Sequence, residues 1–257
     1  MPMRFLVTND DGILAHGLDV LVRAAEPLGE VWIVAPDREQ SATSHSLTLH
    51  HPLRPVPRSE RRWQVDGTPT DCVMLAVEAL LPDRPDFVLS GVNHGQNLGE
   101  DVLYSGTVAA AMEGLALGIP SIAVSFAGGE LRADPQRLDA QVSLLTRFLR
   151  HVTSLPSFPE DTLLNVNLPP LPGDMVRGTR LTRLGRRVLS QSLQPMKDPW
   201  GRPIYWIGGG SASWLKSTDD SDFRAVQDGF VSVTPLHLDL THVDALDHAD
   251  TWWTPME

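Results

Sequence analysis

A single cysteine, Cys72, stands among 257 residues, so no disulfide can close within the chain and a reducing compartment is expected. Its place in an apolar helical stretch makes it a buried spectator rather than a nucleophile. Lysine is nearly absent too, with only Lys197 and Lys216, and no basic run occurs. The 21 basic side chains are outweighed by 32 acidic ones for a net charge of -11, which argues against duplex nucleic acid as a surface partner. A small anionic substrate stays open, because one local cation reverses the sign of one pocket. No segment reaches the roughly 18 to 20 apolar residues that span a bilayer, and Met1-Pro2-Met3-Arg4 runs straight into an apolar strand. The expectation is a cytoplasmic protein with no targeting segment and no membrane partner. With 42% hydrophobic and 21% charged residues, disorder, collagen and coiled coil are excluded as well.

What is present reads as alternating strand and helix. Phe5-Leu6-Val7-Thr8 is a short apolar run that ends in Asn9-Asp10-Asp11-Gly12, and Leu18, Leu21, Val22 and Ala25 follow at helical spacing. Val31 to Ala35 is continuously apolar, as a parallel strand covered on both faces must be. Thr68-Pro69-Thr70-Asp71 predicts a helix start, with a cap residue, a proline at the first helical position and an early acid. Strands at 87–90, 121–125 and 163–167 alternate with helices from Ser105 and across Leu138 to Leu149. The pattern predicts an α/β fold with a doubly wound, mostly parallel sheet, a Rossmann-like three-layer sandwich. Pro169-Pro170-Leu171-Pro172-Gly173 breaks the alternation. Residues 1–172 are therefore expected to form the Rossmann-like core, and 173–257 a β-rich extension of turns, glycines and isolated β runs. Within that extension, Thr218 to Asp222 reads as a solvated acidic turn and Phe230 to Thr234 as a half-buried strand. Trp252-Trp253 reads as an aromatic pair seeking a surface.

Ligands of open α/β sheets bind beyond the carboxyl ends of the strands, where three polar loops converge by topology. The first carries Asp10 and Asp11, whose mutual repulsion at a desolvated strand end a divalent cation would relieve. Read alone, the pair is equally a helix cap beside a solvated acid, but the other two loops bring more oxygen. Ser41 and Asn93 add hard donors, and a site of carboxylate, hydroxyl and amide oxygens suits Mg²⁺ or Mn²⁺. Nearby His45 and His94 keep Zn²⁺ or Co²⁺ open, and both are candidate proton donors. Ser105-Gly106-Thr107 opens a helix whose free N–H groups form an anion seat, or else simply an N-cap at Ser105, and Asn97 can add an amide. A metal beside an anion cradle points to phosphoryl chemistry, in which the ion polarises phosphate and activates water.

These residues resemble the SurE family of metal-dependent 5'-nucleotidases. The resemblance runs through Val7-Thr8-Asn9-Asp10-Asp11-Gly12, Val34-Ala35-Pro36-Asp37 with Ser41-Ala42, and Gly67 to Val73. It continues through Ser90-Gly91-Val92-Asn93 with Gly95 and Asn97, Tyr104-Ser105-Gly106-Thr107-Val108, and Val231 to Leu236. It implies that Asp10, Asp11, Ser41 and Asn93 hold one divalent ion, and that Asn97, Ser105, Gly106 and Thr107 hold phosphate. Asp10, Asp11, Asn97 and Ser105 would then carry catalysis. Also implied are hydrolysis of nucleoside 5'-monophosphates, with 3'-monophosphates and short polyphosphate as further substrates of some members, and a homodimer or homotetramer assembled through C-terminal arms. His237 falls near the hinge of that arm, and Ser44 stands where many members carry glycine.

Three other functions fit these residues less well. A phosphoacceptor receiver-like switch needs a lysine after a late strand, and both lysines lie beyond the sheet. A non-catalytic nucleotide-binding module needs G-x-G-x-x-G after the first strand, where only Gly12 and Gly17 occur. An aspartyl-phosphate phosphatase would want a second acid two residues past Asp10, and that position is Gly12.

Overall fold

The computed structural model describes residues 2–128, 135–189, 193–207, 212–214 and 219–254. Its first βαβ unit is β1 (Met3–Thr8), α1 (His16–Ala25) and β2 (Gly29–Pro36). An antiparallel pair, β3 (Pro55–Ser59) and β4 (Arg62–Val65), leads to α2 (Pro69–Leu75), which widens into a π turn at Ala76–Leu80. Then come β5 (Phe87–His94), α3 (Gly106–Ala116), β6 (Ser121–Phe126), α4 (Pro135–Thr153) and β7 (Leu163–Leu168). The remaining elements are β8 (Thr179–Leu181), β9 (Arg187–Leu189), β10 (Leu193–Lys197), β11 (Pro203–Ile207), β12 (Ala212–Trp214), α5 (Asp222–Gln227), β13 (Val231–Leu236) and α6 (Val243–Asp247).

Nine strands form one sheet in the order β3-β4-β2-β1-β5-β6-β7-β13-β8. From β4 to β7 every neighbour is parallel, and the order reverses direction at β1, between β2 and β5. That is the switch point at which doubly wound sheets open a ligand crevice. α1 packs with α4 on one face, and α2 with α3 on the other. The larger core lies on the α1 side, where Phe5, Leu21, Leu89, Val124 and Leu145 are all buried. Leu6, Val34, Val73 and Val88 fill the α2 side. The continuous apolar strands are thus buried on both faces, as the doubly wound reading requires.

The helix start at Thr68 is a capping box. The Asp71 amide donates to Thr68 Oγ1 at 3.1 Å, and the Thr68 amide donates back to Asp71 Oδ2 at 2.8 Å. Cys72 is buried, and burial pushes its thiol well above the usual range, so it is inert as expected.

The extension differs from its sequence reading in two places. Val231 to Thr234 are all buried, because β13 enters the main sheet antiparallel to β7 and parallel to β8. The polar members of its alternation face Thr182 rather than water: Ser232 Oγ and Thr234 Oγ1 each lie 2.8 Å from Thr182 Oγ1. The acidic turn is solvated only at Asp219 and Asp220, Thr218 lying outside the described residues. Asp222 is buried, and burial raises its carboxyl pKa against three amide donors, Gly99, Gly185 and Phe223, at 2.7, 2.9 and 2.8 Å. One carboxylate therefore ties the loop before α3 to the extension. By contrast, among the described residues β10 and β11 pair only with each other, in a hairpin exposed along its whole length. Among the described residues no helix is long and apolar enough to cross a membrane.

Candidate active site

Asp10 sits where β1 leaves the sheet, in a turn closed by Asn9 Nδ2 donating to the Gly12 carbonyl at 3.0 Å. Gly12 has φ +97°, a backbone state that side chains resist, so the turn asks for glycine there. Asp10 is only 5% exposed, and Thr107 Oγ1 donates to its Oδ1 at 2.5 Å. Burial pushes the Asp10 carboxyl up from 3.8 to about 6; the Thr107 hydrogen bond opposes the rise and the Asp11 charge adds to it. Asp11 is also raised by burial, opposed by His94, whose amide donates to Asp11 Oδ2 at 3.1 Å and whose ring Nδ1 lies 3.5 Å from Oδ1. Among the described residues His94 is the ion-pair partner of Asp11, and no lysine or arginine pairs with either acid.

The loop after β2 folds back over this turn. The Gln40 amide donates to the Asp10 carbonyl at 2.7 Å, Ser44 Oγ to the Leu103 carbonyl at 2.7 Å, and Thr48 Oγ1 to Asp71 Oδ2 at 2.6 Å. Ser44 adopts φ +54°, the region where glycine is at home, and its hydroxyl is held by the Leu103 carbonyl. Ser41 lies at the exposed rim and donates to Glu39 Oε1 at 2.5 Å. β5 runs to His94, beyond the strand expected at 87–90, and so carries Asn93 at its end. The Asn93 Nδ2 group is engaged by the Gly95 carbonyl at 2.9 Å, which leaves its amide oxygen for a cation.

Asp10, Ser41, Asn93, His94, Asn97 and Ser105 border one cavity of about 300 Å³. Six residues chosen from four separated stretches thus meet beyond the carboxyl ends of β1, β2 and β5. Gln96, Asp101 and Tyr104 share the wall and were not singled out from sequence. Glu39, whose charge helps raise Asp11, was also missed; it is one more acid in a polar loop, with no pattern to mark it.

Asp11 is drawn to His94, which stands on the cavity wall. Three of the expected residues are placed otherwise. Thr107 is buried and its hydroxyl is given to Asp10 rather than presented to an anion. Gly106 lets α3 approach that same carboxylate: a Cβ there would sit 2.9 Å from Asp10 Cβ and 3.1 Å from Oδ2. His45 is turned to Glu113 Oε2 at 2.9 Å, outside the cavity, so of the two histidines His94 is the one at its wall. Ser105 Oγ caps α3 by accepting from the Val108 amide at 3.1 Å. His237 is exposed just past β13.

The donor set fits a hard divalent ion. Asp10 is buried, raised and adjacent to a second acid, and Ser41 and Asn93 supply neutral oxygens. Among the described residues no three His, Cys, Asp or Glu side chains cluster as metal ligands, in keeping with a site that draws on hydroxyl and amide oxygen.

Comparison with known proteins shows which chains share this sequence and fold. The family described as Survival protein SurE matches residues 5–191. A protein named 5'-nucleotidase SurE from Gemmatimonas aurantiaca is 73% identical over 251 residues, covering 98% of this chain and 99% of its own. One of the same name from Pelobacter propionicus is 48% identical, covering 97% and 99%. The crystal structure of SurE protein from Aquifex aeolicus superposes with a TM-score of 0.84 at 41% identity, covering 96% of this chain and 98% of that one. Strand order, cavity and sequence likeness over nearly the full length lead to one statement: the chain belongs to the SurE family.

Proposed function

We propose that this chain hydrolyses nucleoside 5'-monophosphates to nucleoside and phosphate, with one Mn²⁺ or Mg²⁺ held by Asp10, Asp11, Ser41 and Asn93. The single observation that carries the reading is the meeting of Asp10, Ser41, Asn93, Asn97 and Ser105 on one cavity. When bound, the ion supplies Lewis-acid polarisation of the phosphoryl group and a lowered pKa for water in its shell. Asp10 offers it a carboxylate that burial has stripped of water. Thr107 fixes the rotamer of that carboxylate, and His94 that of Asp11. Asn97 and the backbone amides at the start of α3 receive the phosphoryl oxygens as charge grows on them. His94, at the cavity wall, is assigned to the departing nucleoside oxygen.

The exposed β10–β11 hairpin supports the expected assembly through C-terminal arms. Trp206 is 65% exposed and Ile207 86%, on a two-stranded unit that alone buries too little to be stable in water. A reducing cytoplasm suits the lone buried thiol.

The test is phosphate release from AMP with Mn²⁺ present, with EDTA added, and in Asp10→Ala. Release that stops with EDTA and falls by orders of magnitude in Asp10→Ala is expected. Turnover close to wild type in Asp10→Ala refutes the assignment.

A further inference from the structure

Asparagine is a poor strand residue, and its amide is costly to bury without partners. Yet β7 carries two, Asn165 and Asn167, both fully buried. Residues two apart on a strand point to one face, and Ser125 on β6 stands opposite Asn167 in register. All three reach a single residue of the site. The Asn97 amide donates to Asn167 Oδ1 at 2.9 Å, while the Asn97 carbonyl accepts from Asn165 Nδ2 at 2.8 Å and Asn167 Nδ2 at 3.1 Å. The Asn97 side chain donates from Nδ2 to Ser125 Oγ at 2.8 Å.

Asn167 therefore engages both peptide groups of Asn97, as a neighbouring strand would. Asn165 donates to Asn97 while, among the described residues, its own buried Oδ1 has no partner. Apolar residues would fill the same space but leave the Asn97 N–H and carbonyl buried without these partners, so what the two asparagines fix is the position of Asn97. Ser125 adds a further property, because a hydroxyl can accept from Nδ2 or donate to Oδ1. In the state observed, Ser125 takes one of the two N–H bonds of Asn97 Nδ2, which leaves the other for an anion in the cavity.

We propose that Asn165, Asn167 and Ser125 are positioning residues that clamp Asn97, so that its amide meets the phosphoryl group without reorganising during the reaction. The clamp rests on the phosphate-binding role proposed for Asn97. It acts through that residue alone, which separates it from a general packing role.

The experiment measures kcat and KM for AMP at saturating Mn²⁺, and Mn²⁺ affinity by calorimetry, in Asn167→Ala, Asn97→Ala and the double variant. The expected result is a fall in kcat of about tenfold to a hundredfold in Asn167→Ala, the loss that a small misplacement produces, with Mn²⁺ affinity within about twofold of wild type. In the Asn97→Ala background the same substitution should lower kcat no further, because two residues acting as one unit are not additive. Equal losses in both backgrounds, or Mn²⁺ affinity lost in step with kcat, overturn the clamp. A wild-type rate in Asn167→Ala beside an impaired Asn97→Ala overturns the clamp alone, whereas a wild-type rate in Asn97→Ala removes the phosphate reading beneath it. If Asn167→Ala does not fold, Ser125→Ala takes its place in the same cycle and is read in the same way.

Discussion

Asp10 carries a charge that its surroundings oppose. Holding its carboxyl at about 6 rather than 3.8 corresponds to an opposition on the order of 3 kcal/mol at neutral pH. The folded state binds the proton more tightly than the unfolded chain does, so this group lowers the stability of the metal-free protein as pH rises from 3.8 to about 6, and no further above that. A cation at the same oxygens competes with the proton. Mn²⁺ affinity should therefore weaken on acidification below about 6, approaching tenfold for each pH unit, and calorimetric titrations at several pH values check it. An affinity that stays flat from neutral to acid pH contradicts the placement of the ion at Asp10. The adjacent acids were legible in the sequence as a repulsion in want of a cation. The depth of their burial was not, because it depends on Thr107 and Gly106 arriving from nearly a hundred residues away.

At the scale of the element, the first turn of α3 does two things at once. Ser105 caps the helix at the cavity edge, and Gly106 lets the backbone close on Asp10. Adding a methyl at Gly106 brings it to 2.9 Å from Asp10 Cβ and 3.3 Å from Pro69 Cγ, so something must shift. Gly106→Ala should cost about 1 to 3 kcal/mol by overpacking, read as a lower Tm, and should weaken Mn²⁺ binding by displacing the carboxylate. A variant with native Tm and native Mn²⁺ affinity shows that the approach of α3 to Asp10 is not needed. The Ser-Gly-Thr sequence marked the start of this helix correctly, but local pattern could not tell an anion-facing hydroxyl from one committed to Asp10. Likewise, Asn165-Val166-Asn167 displayed polar residues at period two inside an otherwise apolar strand. That signal was present, and only the neighbouring loop gave it meaning.

At the scale of the whole molecule, the extension is divided between two tasks. β8 and β13 complete the main sheet, and Asp222 binds the extension to the loop at Gly99, so removing everything after the core would expose β7 and dismantle the site's support. The β10–β11 hairpin carries no such burden. Replacing residues 193–207 by a short Gly-Ser linker should leave the sheet and phosphate release intact while the mass in solution, read by light scattering, falls to that of one chain. An unchanged assembled mass places the interface elsewhere.

By itself the sequence determined the α/β alternation, the strand ends at which chemistry collects and the oxygen-rich character of the site. Each of these is written in local periodicity and in the residue types that stand where a strand stops. Only the tertiary structure decided that β13 would be a buried sheet member, that Asp222 would be an internal tie, and that Thr107 and His45 would face away from the cavity. These outcomes depend on partners distant along the chain, and a hydroxyl, an imidazole or a carboxylate carries no local mark of which distant atom will satisfy it.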